Sequence, residues 1–262
     1  MQKDNRLCLG IILFKPSTEE LDSVIKLSEK YDVYVYVNSK LNYEDELRLK
    51  SRVFFIYFSE INMGISKAMN HLFKKSYKNG FKYFLCLDQD TIISNMNITD
   101  IQNEILEIEF KFQDYNFLGF TLNVLSNKYN FQDFIINSGT IFNLHLLKKM
   151  SYFNEEYFVD LVDYEISARA HMANLKFINI QNNGFFDHIS NQADTIHNIF
   201  GLKVRSRRYD ITRLRETMKA YKRLMFFCIK NIEIFFFLKL LRSLIIYKVY
   251  RFLALFPVEA KK

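Results

Sequence analysis

The feature that most restricts the fold is an alternation of short apolar runs with helical periodicity over roughly the first third of the chain. Leu7–Phe14, Tyr31–Val37, Arg52–Phe58 and Phe81–Leu87 are β-prone runs dense in apolar side chains, as expected of strands covered on both faces. Helix signals separate them. Pro16-Ser17-Thr18-Glu19-Glu20 supplies a helix start, with Ser17 or Thr18 as cap and acids in the first turn. From Ile65 to Phe73 the positions Ile65, Ala68, Met69, Leu72 and Phe73 recur at helical spacing, leaving Lys67, Asn70, Lys74 and Lys75 outside. This repetition predicts an α/β fold, a mostly parallel sheet flanked by helices on both faces. Ligands in such folds bind beyond the carboxyl ends of the strands. Chemistry is therefore expected at Lys15 onward, Asn38-Ser39, Glu60–Gly64 and Asp88–Thr91.

The second half is less regular. A helix is expected over 97–110, strands over 117–124 and 131–142, and a short helix over 144–150. A helix over 161–172 and a strand over 176–180 follow, ahead of Phe185-Phe186-Asp187-His188. At 262 residues the chain suits one large domain, or one domain with an appendage. Cys8, Cys86 and Cys228 lie far apart without metal-ligand spacing, and the first two sit in apolar runs as buried thiols. The N-terminal run reads as a first strand and not as a signal peptide, which with the cysteine pattern predicts a cytoplasmic protein.

Two acid clusters can carry chemistry. Asp88-Gln89-Asp90 leaves a buried strand directly, and two carboxylates at a strand end can converge on one hard cation completed by substrate phosphates. The same pattern suits a turn whose Asp caps the next helix. In Asp160-Leu161-Val162-Asp163-Tyr164-Glu165, a helix starting near Leu161 makes Asp160 its cap and sets Asp163 in its first turn. Glu165 then points away, positioned to pair with Arg169. Asp163 is thus the candidate base, and its place near a helix N-terminus predicts a carboxylate ionised at neutral pH. Taken alone, these acids are explained better by plain N-terminal capping, which is common. His188, taken alone, reads as a hydrogen-bonded structural residue.

The order of short segments adds a further reading. GIILFKP, Asn38-Ser39, INMGISKAMN, LDQDT, the stretch from INSGT to YEISAR, FDH and SRRYDITR run in that order over residues 6–215. In this order they resemble glycosyltransferase family 2, particularly its bacterial rhamnosyltransferase-like members. The resemblance implies a GT-A-like fold over residues 1–215, with residues 216–262 as a C-terminal amphipathic helical extension. It also implies an inverting transfer from a nucleoside-diphosphate sugar, with dTDP-rhamnose as donor and a glycan hydroxyl as acceptor. A UDP donor of galactose, glucose or N-acetylhexosamine is the alternative. By the same resemblance Asn38, Asn62, Gly64 and Asp88 meet the nucleotide sugar. Asp90, with Asp88 and His188, would hold Mg²⁺ or Mn²⁺, and Asp163 would be the catalytic base. A nucleotidyltransferase would want a Gly-rich phosphate loop, which GIILFKPSTEE does not supply.

The net charge of +7 is concentrated in the stretch from Lys203 to Arg223, where only Asp210 and Glu216 oppose the cations. Nucleic acid and an anionic membrane both suit such a stretch. Over residues 219–256 no window of about eighteen residues lacks charge, so a spanning helix is not expected. Lys219, Lys222, Arg223 and Lys230 share a helical face opposite Leu224 and Phe227, as in an interfacial helix; the following stretch is ambiguous. Together with the resemblance, this predicts peripheral attachment at the cytoplasmic face of the plasma membrane, a lipid-linked acceptor and no nucleic-acid partner. The competing non-enzymatic reading is a basic membrane- or nucleic-acid-binding module on an inactive α/β scaffold.

Overall fold

The computed structural model describes residues 7–94, 98–123, 129–181, 185–188, 195–199, 202–206 and 211–253. The chain divides into two compact units, Met1–His188 and Ile189–Lys262.

The first unit opens with the expected strand–helix alternation, to which the structure adds a helix over Tyr43–Lys50. β1 (Leu7–Leu13), α1 (Thr18–Ser28), β2 (Val33–Val37), α2 (Tyr43–Lys50), β3 (Phe55–Phe58), α3 (Ile65–Lys78) and β4 (Tyr83–Asp88) alternate without interruption. There follow β5 (Thr91–Ser94), α4 (Ile98–Lys111), β6 (Phe117–Asn123), β7 (Phe131–Gln132), β8 (Thr140–Asn143) and α5 (Leu144–Lys149). α6 (Val162–Met172), β9 (Lys176–Gln181) and β10 (Phe185–His188) complete the unit. Eight strands form one mixed, mostly parallel sheet in the order β3-β2-β1-β4-β8-β6-β9-β7. β1 pairs in parallel with β2 and β4, and β2 with β3, so the carboxyl ends of all four lie on one edge. β8 runs antiparallel to both β4 and β6. β5 and β10 form a separate antiparallel pair.

Because side chains alternate across a strand, the two faces of the sheet acquire different cores. One is aliphatic: Leu9, Ile11, Val33, Val35, Leu85 and Leu87 pack with Leu21 and Val24 of α1, Leu49 of α2 and Ile101, Ile105 and Ile108 of α4. The other is aromatic. Phe73 of α3 meets Phe84 of β4 edge-on at 4.9 Å and Phe153 at 5.1 Å, and Phe142 of β8 closes on Phe153 at 5.5 Å. Gly10 in β1 lies beneath this layer, where a Cβ would come within 1.8 Å of the Phe84 ring. Truncating a fully buried ring such as Phe73 is expected to cost about 3–5 kcal/mol.

Local signals set several boundaries. Ser17 caps α1 through a reciprocal capping box with Glu20. Asn42 caps α2, a helix the periodicity does not announce because Leu49 is its one buried residue. The strand expected over 131–142 is instead two short strands, β7 and β8. Between them the chain leaves the sheet: the Ile135 N–H bonds the Ser167 hydroxyl, and a turn closes with Thr140 N–H on the Asn137 carbonyl.

In the second unit, β11 (Thr195–Ile199) and β12 (Leu202–Ser206) form an antiparallel hairpin that the sequence reading did not anticipate. α7 (Ile211–Lys230) and α8 (Ile234–Leu253) follow. They form a helical hairpin whose inner surface includes Tyr221, Leu224, Cys228, Phe236 and Leu240, all buried, with the Tyr221 hydroxyl 2.8 Å from that of Ser243. Its turn closes with Glu233 N–H on the Cys228 carbonyl at 2.8 Å, and Ile232 takes a left-handed conformation, φ 59°. No described helix is long and apolar enough to cross a membrane. All three cysteines are buried and free.

Candidate active site

The carboxyl ends of β1, β2, β3 and β4 are joined by side chains that bond neighbouring loops. Gln89, the middle residue of Asp88-Gln89-Asp90, turns away from the acids. Its Oε1 accepts from the Phe14 N–H at 2.7 Å, and its Nε2 donates to the Phe14 carbonyl at 3.4 Å and to Glu20 of the capping box at 3.1 Å. The amide thus prolongs the β1–β4 pairing by one step beyond the backbone ladder. Next to Phe14, the Lys15 N–H donates to the Ser39 hydroxyl at 2.9 Å, tying the end of β1 to the end of β2.

Asn38, 2% exposed, does the same between β2 and the loop before α3. Its Oδ1 accepts from the Met63 N–H at 2.7 Å, and its Nδ2 donates to Asn62 Oδ1 at 2.8 Å and to the Gly64 carbonyl at 3.4 Å. Asn62 in turn accepts from the Gly64 N–H at 2.9 Å. Asn38, Asn62 and Gly64, three residues assigned to the nucleotide sugar, are therefore brought together. The Asn38 amide is engaged by protein, so its direct effect is to shape the loop. Gly64 has φ 80°, and a Cβ there would stand 2.6 Å from the Phe158 carbonyl oxygen. That close approach lets the Ile65 N–H bond the same oxygen at 2.6 Å.

From here α3 holds the segment that leads to the second acid cluster. Ser66 donates to the Tyr157 carbonyl at 2.6 Å. Buried Asn70 pairs with both backbone groups of Phe153 at 2.9 Å and reaches Glu155 at 3.1 Å. Loops from β1, β2 and β3 and the 153–158 segment are thus linked by side-chain hydrogen bonds along one edge of the sheet.

α6 begins differently from expectation. Its N-cap is Leu161 at φ 66°, with no side-chain cap, so Asp160 is not the capping residue. A non-glycine residue held at positive φ is strained, and such strain concentrates at functional sites. Asp163 stands in the first turn. The residue keeps some accessible surface, yet its carboxyl is closely surrounded by protein. Burial, reinforced by the charge of Asp88 and opposed by a hydrogen bond from the Asn137 N–H, pushes its pKa up to about 7. The expectation of a fully ionised carboxylate is corrected here: desolvation and a second acid outweigh the helix N-terminus. Asp163, in the first turn of α6, thus feels the charge of Asp88 at the end of β4.

Glu165 behaves as the sequence predicted. It is 4% exposed, and both its oxygens are bound by Arg169, at 2.6 and 2.9 Å. Arg169 also donates to the carbonyls of Met150 and Tyr152, flanking a left-handed turn at Ser151 and Tyr152. Burial raises the Glu165 pKa and Arg169 pulls it back. This pair closes the fold behind the site.

Two contributors were missed. Asn137 supplies the N–H that faces Asp163, and its own Oδ1 is buried without a partner. Ser138 accepts from the Asp88 N–H at 3.1 Å and lies 3.2 Å from the Thr91 hydroxyl, fixing the end of β4. Their signal was a polar Asn-Ser-Gly-Thr interrupting an apolar run from Phe134 to Phe142. Ser167 completes the arrangement, bonding the Asp163 carbonyl at 2.6 Å while accepting from Ile135 N–H.

A divalent cation fits the acids in one respect. Mg²⁺ and Mn²⁺ suit one or two carboxylates with the remaining positions filled by phosphate and water, and Asp88 and Asp90 supply that set. The β5–β10 register sets the backbone of His188 opposite Thr91, next to Asp90; its side chain lies outside the described residues. Among the described residues no group of three or more His, Cys, Asp or Glu forms a cage by itself.

No protein-family model matches the chain, and no curated protein does. Solved structures do. The crystal structure of S. aureus TarS matches with a TM-score of 0.50 at 14% identity, covering 69% of this chain and 36% of that one. GalNAc-T7, crystallised with UDP, GalNAc and Mn²⁺, matches with a TM-score of 0.50 at 10% identity, covering 68% of this chain and 43% of that one. The chain therefore spans less than half the length of either structure. At these identities the likeness concerns architecture, and the architecture is that of a GT-A-like α/β fold.

Proposed function

We propose that the chain is an inverting glycosyltransferase acting from a nucleoside-diphosphate sugar. The observation that carries this reading is an enclosed Asp163 carboxyl whose pKa is raised to about 7 by burial and by the charge of Asp88, an exposed acid at the carboxyl edge of the sheet. A base poised near the operating pH is suited to take a proton from a hydroxyl. The GT-A-like fold and the UDP and Mn²⁺ in GalNAc-T7 support a nucleotide-sugar donor.

In this mechanism the donor's nucleotide lies against the loops organised by Asn38, Asn62 and Gly64, with its diphosphate toward Asp88 and Asp90. Mg²⁺ or Mn²⁺ held by these acids, with His188, would offset charge on the departing diphosphate. Asp163 accepts the proton of the acceptor hydroxyl as that oxygen bonds the anomeric carbon. The bond from carbon to diphosphate breaks on the opposite side, so one displacement inverts the centre and requires no covalent enzyme intermediate. Asn137 N–H holds the Asp163 carboxyl in place for that transfer. The donor we favour is dTDP-rhamnose, on the resemblance of LDQDT, FVDLVDYE and RRYDITR, with a lipid-linked glycan as acceptor at the cytoplasmic membrane face.

A thermal-shift screen of dTDP- and UDP-sugars with Mn²⁺ tests the proposal. A donor at about 100 times its Kd adds about 2.7 kcal/mol to the native state. Metal-dependent protection by one of them is expected. Protection by nucleic acid and by no nucleotide sugar would favour the non-enzymatic scaffold instead.

A further inference from the structure

α8 has two apolar faces, and only one packs on α7. Phe236 and Leu240 are buried, and Ser243 bonds Tyr221 on that side. Roughly opposite them, at 100° per residue, Ile234, Leu238, Leu241, Ile245 and Val249 form an exposed stripe. These five recur with steps of four or three residues, so the stripe runs about 22 Å along the helix. The tip of the hairpin is apolar as well. Ile232 is 80% exposed at its left-handed position, and Phe226 and Ile229 are exposed on the last turns of α7. The helix periodicity that made this stretch ambiguous in sequence is thus two superimposed stripes.

Charge selects the occupant. α8 contains Lys239, Arg242, Lys248 and Arg251 and no acid from Ile234 to Leu253. Lys239, Arg242 and Lys248 are exposed, with Arg242 and Lys248 on opposite flanks of the stripe. A second copy laid against the stripe, parallel or antiparallel, would oppose cation to cation, and such like-charge juxtaposition is costly. An anionic bilayer complements both elements: the apolar side chains enter the acyl boundary and the long cationic chains reach the headgroups. The exposed cations of α7, Arg215, Lys219, Lys222, Arg223 and Lys230, lie on the surface it turns away from α8, so the headgroup contacts of the stripe fall to the cations of α8 itself.

We infer that the α7–α8 hairpin is a membrane-docking surface that seats the α8 stripe and the Ile232 turn in the interface of an anionic bilayer, lying on it and not crossing it. This deepens the proposed lipid-linked acceptor by giving it a surface, and it stands on the hairpin alone.

The test is flotation of the full chain with vesicles of phosphatidylcholine alone or mixed with phosphatidylglycerol. The chain is expected to float with the mixed vesicles, weakly with the neutral ones, and less in high salt. Leu238→Gln with Ile245→Gln should lower partitioning roughly tenfold or more, since two apolar side chains no longer enter the interface. Arg242→Gln with Lys248→Gln should lower it roughly fivefold per cation. All four positions are exposed, so folding is expected to persist, checked by circular dichroism. Nucleotide-sugar protection, measured on the same variants, should be unchanged, which separates failure of docking from failure of the enzymatic reading. Absence of flotation, or flotation untouched by the Leu238/Ile245 pair, overturns the inference. So does a dimer that the same pair dissolves while vesicles bind nothing, which would assign the stripe to a second copy.

Discussion

The acids at the end of β4 and those at the start of α6 come from equally short sequence patterns, yet their surroundings give them different chemistry. Asp88 leaves a strand into solvent, with its N–H fixed by Ser138. Asp163 is enclosed, held by Asn137 N–H and raised toward neutrality by burial and by Asp88. Within α6 the contrast repeats over two residues. Both carboxyls are buried, but Glu165 is clamped by Arg169, whereas the charge acting on Asp163 is another acid. Residue type names a candidate; desolvation and neighbouring charge decide its role.

Four perturbations would break or sharpen this contrast. The largest expected effect is at the pair behind the site. Arg169→Leu strands a buried Glu165 and releases the Met150 and Tyr152 carbonyls, so chemical denaturation should show a loss of about 3–5 kcal/mol. The loss should shrink at low pH, where Glu165 is protonated; a surface-like loss of about 0.5 kcal/mol would place Glu165 with ordinary exposed pairs. Next is Asp163 itself. Its folded pKa of about 7 exceeds the ordinary 3.8, so the native state binds the extra proton and wild-type stability falls as pH rises from about 4 to about 7. In metal-free buffer Asp163→Asn should therefore be more stable above pH 7, by up to about 4 kcal/mol, with no gain below about pH 4. A destabilised Asn variant at pH 8 would contradict the enclosed, raised carboxyl.

Smaller effects probe the strand-end side. Asp90→Ala should weaken donor binding by about 10–100-fold in Mn²⁺ and little in chelator, read by calorimetry; equal weakening in both would remove Asp90 from the metal. Gln89→Ala deletes the amide that bonds Phe14 and Glu20, with a stability loss of about 1–2 kcal/mol. Hydrogen exchange should then quicken at Phe14 and Lys15 while the Asp163 loop is unaffected. Faster exchange at both would mean the two acid sites are one cooperative unit.

The parallel strands β1, β2 and β4 were legible because each is buried on both faces and reads as a continuous apolar run, the edge strand β3 because its run is strongly β-prone, and α3 because its apolar positions keep one period. α2 was illegible for the opposite reason, with a single buried residue, Leu49, in a charged sequence. The 131–142 stretch misled because its apolar residues serve two ends. Phe131 belongs to β7 and Ile141 to β8, while Ile135 turns inward to Ser167. At the site, the division between Asp163 and Glu165 followed from helical spacing. The ionisation of Asp163 did not, because it depends on Asp88, brought near only by the fold. Ser138 was missed for the same reason, its contact with Asp88 spanning 50 positions of the chain.

The central claim is that Asp88 and Asp90 serve the donor while Asp163 serves the acceptor proton. It is tested most directly by measuring metal-dependent nucleotide-sugar binding and sugar transfer on the same preparation of Asp163→Asn. The account predicts donor affinity within about twofold of wild type and transfer reduced by about 10²–10⁴-fold. Donor affinity lost together with transfer, or transfer retained, would contradict it.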